Sequence, residues 1–152
     1  MYIKDYLKQF GDKKINIYVD MDGVVAHYEV GKPRNYDEKR PLNSSIKKLK
    51  TISKMKNVNM YILSVTRMNQ GIIEKNEWLD KYMPFIDKQN RFILSREAND
   101  FRISKDLKTS YLKTQIKDDS ITIFIDDDPR IINDIRENLP SVYLLKDTAL
   151  VD

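Results

Sequence analysis

Apolar residues recur along the chain at two spacings, and each spacing predicts one kind of element. Short continuous runs rich in Ile, Val and aromatic residues predict buried β-strands, because these side chains fit a pleated, packed surface. Apolar residues at every third or fourth position predict helices that bury one side. The strands predicted in this way cover 15–19, 59–65, 91–95, 121–125 and 142–145.

A predicted helix follows each of the first four strands. Strands joined through helices form parallel sheets with right-handed crossovers, so the predicted fold class is α/β with a parallel sheet. Residues 1–14 add an N-terminal helix that stops at Gly11, and the polar stretch 27–42, which contains Gly and Pro, predicts a loop. Since no linker or repeat divides the chain, 1–152 is predicted to be a single domain.

The composition restricts the chemistry that is available. The chain has no cysteine, which excludes disulfides, thiolate metal sites and cysteine nucleophiles. No apolar run approaches the roughly 18 residues of a membrane helix and no signal segment is evident, so we expect a cytoplasmic protein without membrane contact. The net charge of +4 mildly favours anionic partners, although a solvated lysine-rich surface is the simpler explanation.

Polar side chains follow three of the predicted strands at the point where each strand ends. Asp20 and Asp22 follow the first strand, Ser64 ends the second, and Asp126 and Asp127 follow the fourth. The carboxyl ends of parallel strands lie along one edge of a sheet, where α/β proteins bind their ligands. These acids therefore converge if the first and fourth strands are neighbours. A single Asp at such a position can also simply cap the next helix or turn.

Converging carboxylates need a cation. Two like charges about 4 Å apart repel by roughly 4 kcal/mol at an effective dielectric constant of about 20. An all-oxygen ligand set without Cys or clustered His favours Mg²⁺, which proteins usually hold through one or two carboxylates together with substrate phosphate. Gly23 adds a sharp turn that brings backbone N–H groups toward the same place. The pattern therefore predicts a Mg²⁺ site that faces a phosphate.

The order of these residues resembles the haloacid dehalogenase (HAD) phosphohydrolase superfamily. The resemblance consists of Asp20-x-Asp22-Gly23-Val24, Ser64 after an apolar strand, a lysine, and then Asp126-Asp127 after another apolar strand, and it spans about 15–145. It implies a three-layer Rossmann-like (HAD) fold, with a five-stranded parallel sheet and helices on both faces. The short intervals between the motifs imply a capless or minimally capped member.

The resemblance also implies a role for each residue. Asp20 is the expected nucleophile, which forms an aspartyl-phosphate, and Asp22 is the expected general acid and base. Ser64 and a lysine are expected to contact the phosphoryl group, with Lys108 the first candidate, Lys113 the second and Lys105 the third. The expected metal ligands are Asp20, the backbone carbonyl of Asp22, Asp126 and Asp127.

Two subfamilies fit best. The polynucleotide kinase 3′-phosphatase domain resembles the chain in Ser64 followed closely by Arg67, in Glu77-Trp78-Leu79-Asp80, and in Arg96-Glu97. The 5′(3′)-deoxyribonucleotidases resemble it in 19–24 and 76–82. The candidate substrate-binding residues are Gly23, Thr66, Arg67 and Arg96. Further candidates for contact with nucleic acid are Arg34, Arg40 and Arg102, and Tyr28 and Tyr36 are candidates for base stacking.

The expected function is therefore a Mg²⁺-dependent phosphomonoesterase that acts on nucleotides or nucleic-acid ends, in the manner of a polynucleotide 3′-phosphatase. One alternative is a nucleotidase for free (deoxy)nucleotides, and another is a phosphatase of proteins or small metabolites. A receiver-like phosphoacceptor module is a more distant alternative, because receivers carry the phosphoacceptor on the third strand, which here ends in Ser95-Arg96 without an Asp. The oligomeric state stays open.

Overall fold

A computed structural model of the chain describes residues 2–28, 35–96 and 102–151. Within these residues, five strands alternate with five α-helices in the order α1 (Ile3–Lys8), β1 (Lys14–Val19), α2 (Asn43–Ser53), β2 (Val58–Thr66), α3 (Asn69–Tyr82), β3 (Arg91–Ser95), α4 (Ser104–Gln115), β4 (Ser120–Asp126), α5 (Pro129–Asn138) and β5 (Tyr143–Lys146). Among the described helices, none has the length and apolar character that crossing a bilayer requires.

The sheet places β1 at its centre. All neighbouring strands are parallel and follow the order β3-β2-β1-β4-β5. Every residue of β1 after Lys14 is buried, because this strand has a neighbour on each side and helices on each face. The predicted α/β class and five-stranded parallel sheet are confirmed.

Helices cover both faces of the sheet. On one face, Ile15, Ile17 and Val19 pack with apolar residues of α1, α2 and α3, including the fully buried Trp78. On the other face, Tyr18 and Phe124 pack with apolar residues of α4 and α5. Side chains of successive strand residues point to opposite faces, which is why a single strand serves both cores.

Two predicted segments differ from the structure in extent. The predicted N-terminal helix over 1–14 is shorter, since α1 ends at Lys8 and the chain turns at Gly11, where φ is 60°. The predicted loop over 27–42 includes a short 3₁₀ helix, Tyr36–Glu38; residues 29–34, among them Arg34, lie outside the described residues. Tyr36 is a buried side chain packed edge-on against Trp78, which contradicts its proposed use as an exposed stacking surface.

One of the three consecutive aspartates caps a helix, as the sequence allowed. The Asp128 carboxylate accepts a hydrogen bond from the backbone N–H of Arg130 at 2.9 Å, and Pro129 occupies the first helical position of α5. The Asp128 side chain also pairs with the exposed Arg130 guanidinium.

We expect Asp128→Ala to destabilise the protein by about 1 kcal/mol, because the first turn of α5 loses its cap. Urea unfolding measures this change. The matched variant Asp118→Ala removes an exposed Asp outside any described helix or strand and should leave the midpoint unchanged. An equal loss in both variants would argue against the cap.

Candidate active site

Two aspartates meet where β1 and β4 end. Val19 pairs with Ile125 in the parallel register, and the backbone N–H of Asp20 donates to the carbonyl of Ile125 at 3.0 Å. Asp20 and Asp126 are consequently neighbours at the same sheet edge. Carboxylate oxygens of Asp20, Asp126 and Asp127 all lie within 4.8 Å of one another. The convergence expected from the strand ends is therefore present.

Lys108 bridges two of these carboxylates. Its Nζ lies 2.8 Å from Asp20 Oδ1 and 2.8 Å from Asp126 Oδ2, and the residue is only 3% exposed. Of the three lysines considered from the sequence, it is the one that reaches the acids. Lys105 instead lies 3.7 Å from Asp134, and Lys113 is exposed.

Asp22 faces a different set of partners. Its Oδ1 accepts hydrogen bonds from the Tyr36 hydroxyl at 3.1 Å and from the Lys39 ammonium, and Lys75 Nζ lies 3.4 Å from its Oδ2. Burial raises the pKa of Asp22, but the lysines and the Tyr36 hydroxyl outweigh burial, so its pKa lies below the ordinary value. The Asp22 side chain is therefore held as a carboxylate beside, and apart from, the three clustered acids.

Ser64 lies at the end of β2, next to β1. Its side chain is buried, and its Oγ accepts a hydrogen bond from Lys75 Nζ at 2.6 Å. Lys75 itself is 4% exposed and also donates to the carbonyl of Val65 at 3.0 Å.

These groups open into one cleft of about 960 Å³. The predicted site residues that line it are Asp20, Asp22, Ser64, Arg67, Arg96, Lys108, Asp126 and Asp127. Exposed residues of its rim include Tyr28, Arg67 and Ile103. Gly23 and Thr66 do not line the cleft; the Thr66 hydroxyl donates to the carbonyl of Met68 at 3.4 Å.

The clustered acids carry unfavourable charge. Burial raises the pKa of Asp20 to about 7, with Lys108 opposing and Asp126 adding to the increase. Burial likewise raises the pKa of Asp126 and of Asp127. For Lys108, burial lowers the pKa, but the two carboxylates beside it outweigh burial and raise its pKa above the ordinary value. One ammonium is thus shared between two buried carboxylates, with the half-buried Asp127 beside them.

Residues 22–104 match the family described as 5′ nucleotidase, deoxy (pyrimidine), cytosolic type C protein. The chain belongs to this family. The match covers more than half of the sequence, including Asp22, Ser64 and Lys75, and ends before Lys108. Membership in this HAD-type nucleotidase family confirms the resemblance noted in the sequence. No curated protein sequence matches the chain.

Several solved structures share the fold of this chain. The chain resembles a chain of the Pnkp1/Rnl/Hen1 complex with a TM-score of 0.68 at 18% identity, covering 90% of this chain and 46% of that one. It also resembles the N-terminal part of BF1531 from Bacteroides fragilis, which contains a phosphatase domain complexed with Mg, with a TM-score of 0.56 at 18% identity over 94% of this chain and 38% of that one. This chain thus spans less than half the length of these structures, and the likeness shows the fold.

The three clustered carboxylates form a site that fits a divalent metal ion. Asp20, Asp126 and Asp127 supply only carboxylate oxygens, the ligands that Mg²⁺ prefers. When all three are ionised, Lys108 leaves a formal charge of −2, which a divalent cation neutralises. Gly23 leaves space for the third acid, since a Cβ at this position would lie 1.9 Å from Asp127 Oδ2.

We expect Gly23→Ala to weaken Mg²⁺ binding at least about tenfold, because the new methyl group displaces the Asp127 carboxylate. The change also strains the backbone, since φ at Gly23 is 80°. Calorimetric titration with Mg²⁺ measures the affinity. Gly11→Ala is the matched control: it also has positive φ, but no atom lies within 4 Å of its added Cβ. Equal Mg²⁺ affinity in both variants would contradict this expectation.

The sequence did not lead us to Lys75 or Lys39, or to the hydrogen bond that the Tyr36 hydroxyl donates to Asp22. A signal for Lys75 was present, because the helical spacing of Ile72, Trp78 and Leu79 places position 75 on the buried side of α3. A lysine at such a position is almost never fully buried unless its charge is paired. Lys39 carried no such signal, because its contact with Asp22 depends on how the 35–40 segment packs against α3.

Proposed function

We propose that the chain is a Mg²⁺-dependent phosphomonoesterase of HAD type that acts on nucleotides or nucleic-acid ends. The observation that carries this proposal is the cluster at the end of the central strand. Asp20 lies 2.8 Å from Lys108 and within 4.8 Å of Asp126 and Asp127, in the cleft that Ser64 also lines. Family membership supports nucleotides as the substrate class.

The chemistry begins at Asp20. Its carboxylate oxygen attacks phosphorus, and the bond from phosphorus to the ester oxygen breaks. Asp22, which is a carboxylate in the free site, must take up a proton from solvent when substrate binds, and it gives this proton to the departing alcohol. Asp22 then takes a proton from a water molecule, which attacks the aspartyl-phosphate and releases inorganic phosphate and the free Asp20 carboxylate. Lys108 and the Ser64 hydroxyl stabilise the charge on the transferring phosphoryl oxygens.

Asp20, Asp126, Asp127 and the backbone carbonyl of Asp22 are the proposed protein ligands of Mg²⁺. When bound, the ion supplies positive charge that orients the phosphoryl group and neutralises its oxygens. The Mg complex of the BF1531 phosphatase domain, which shares the fold, supports the choice of ion.

The rim of the cleft suits a nucleotide or the end of a strand. Arg67 and Arg96 line the cleft beside Ser64 and can contact phosphates next to the reacting one. The exposed ring of Tyr28 can stack on a base. Arg40 and Arg102 are not among the residues that line it. The fold shared with a chain of the Pnkp1/Rnl/Hen1 complex, which is an RNA repair complex, supports a strand end as the substrate, and the family match supports a free deoxynucleotide.

We also propose that the 27–42 segment takes the place of a cap and that the protein works in the cytoplasm. The described part of this segment is only a short 3₁₀ helix with extended flanks, which is too small to enclose a substrate. The cytosolic description of the family supports the location.

A substrate panel tests the function. We expect phosphate release from 3′- or 5′-phosphorylated oligonucleotides or from mononucleotides in Mg²⁺, and a loss of at least about 100-fold with excess chelator. Sugar phosphates and phosphopeptides in the same panel test the alternative substrate classes. Release from no substrate, or release that a chelator leaves unchanged, would contradict the proposal.

A further inference from the structure

Lys75 is a buried cation with three oxygen partners. Its Nζ lies 2.6 Å from Ser64 Oγ, 3.0 Å from the carbonyl of Val65 and 3.4 Å from Asp22 Oδ2. An ammonium has three hydrogens, so these three acceptors use all of them. Two of the partners, Ser64 and Asp22, belong to the proposed catalytic set, and all three lie at the floor or wall of the cleft.

The contact with Lys75 determines which way the Ser64 hydroxyl can act. A serine hydroxyl has one hydrogen to donate and can also accept. Because an ammonium can only donate, the Ser64 oxygen must accept from it. The Ser64 hydrogen is then directed away from Lys75 and is available to the cleft, where an anionic phosphoryl oxygen is the partner that accepts it.

We propose that Lys75 is a positioning residue that fixes Ser64 as a hydrogen-bond donor to the phosphoryl group. This inference rests on the proposed function, because it assigns Lys75 a part in the same reaction. Lys75 contacts no substrate itself, since its three hydrogens are all engaged within the protein.

Packing alone gives little reason for a lysine here. Position 75 lies on the buried side of α3 beside Trp78 and Leu79, and a buried charge is costly compared with an apolar side chain of similar volume. If Lys75 were replaced by Met, Asp22 would keep its contacts with Lys39 and Tyr36. We therefore expect Lys75→Met to fold, with a lower melting temperature than the wild type, because the Val65 carbonyl and the Ser64 oxygen each lose a hydrogen bond.

A double-mutant cycle tests the proposal. The variants are Lys75→Met, Ser64→Ala, the double variant and Lys81→Met, the last removing an exposed lysine from the same helix. Turnover of p-nitrophenyl phosphate in Mg²⁺ is measured, because its leaving group needs little help from an acid and the effect through Ser64 dominates. We expect kcat of Lys75→Met to fall about 10- to 100-fold with KM changed less than about threefold, and Lys81→Met to match the wild type.

The double variant distinguishes a positioning role from a separate one. If Lys75 acts through Ser64, the double variant should lie within about threefold of Ser64→Ala alone. Multiplied losses in the double variant, or wild-type kcat in Lys75→Met, would overturn the proposal. If Lys75→Met does not fold, Lys75→Gln takes its place in the same cycle and is held to the same outcomes.

Binding of orthovanadate by calorimetry separates this inference from the proposed function. Should the wild type hydrolyse nothing, the proposed function fails. The coupling between Lys75 and Ser64 is then still measured as the loss of orthovanadate affinity in Lys75→Met, Ser64→Ala and the double variant, with Lys81→Met expected to bind as the wild type does. An affinity in Lys75→Met equal to that of the wild type would overturn the inference by itself.

Discussion

Asp20→Asn should fold and lose at least about a thousandfold in phosphatase turnover. An amide is a poor nucleophile compared with a carboxylate, so no aspartyl-phosphate forms. The fold should survive, because Lys108 keeps its contact with Asp126 and the repulsion among the clustered carboxylates decreases. Release of phosphate from the best substrate of the panel, together with thermal unfolding, measures both effects.

The matched control for this prediction is Asp118→Asn. It makes the same change at an exposed residue away from the cleft and should retain wild-type turnover. Undiminished turnover in Asp20→Asn would remove Asp20 as the nucleophile. A turnover loss that accompanies unfolding of the variant would instead show that this carboxylate is needed for stability.

Lys108→Met should reduce both stability and turnover. The lysine is the ammonium that neutralises Asp20 and Asp126, and removing one partner from a buried ion pair costs about 3–5 kcal/mol because the other charges are left uncompensated. We expect urea unfolding to show a loss of this size, and turnover to fall at least about 100-fold. Added Mg²⁺ should stabilise the variant more than it stabilises the wild type. Without the Lys108 ammonium, the site carries one more negative charge and attracts the ion more strongly.

The matched control is Lys113→Met, which removes an exposed lysine of the same helix. It should leave the unfolding free energy within about 0.5 kcal/mol of the wild-type value. A Lys108→Met variant as stable as this control would mean that Lys108 does not neutralise the acids. The expected response to Mg²⁺ gives a second reading that does not depend on catalysis.

Much of the fold could be predicted because its strands are apolar and short. Continuous runs such as 121–125 have few alternatives to a buried strand, and the helices between them force a parallel sheet. The convergence of Asp20 with Asp126 follows from two facts: parallel strands end at one edge, and these two strands are neighbours. The second fact was implied by the resemblance and is not contained in the residue pattern.

The rest of the site depends on side-chain directions and on segments without regular spacing. Thr66 shares a strand end and a strand face with Ser64, yet its hydroxyl turns toward the Met68 carbonyl, into the space that Gly71 leaves beside it. Tyr36 and Lys39 reach Asp22 from a stretch whose polar sequence predicts only a loop. The contacts of Lys75 depend on the rotation of α3 against the sheet, which periodicity gives only approximately.

The pairing of β1 with β4 sets strict limits on changes in chain length. Deleting one residue within β1 would place Asp20 on the opposite side of the sheet, away from Lys108, even if every amino acid near the cleft were retained. Insertions in the connection between β1 and α2 leave this alignment untouched. Natural relatives should therefore differ in length in that connection and keep the distance from Ile15 to Asp20 constant, and a library of single-residue deletions should show the same division.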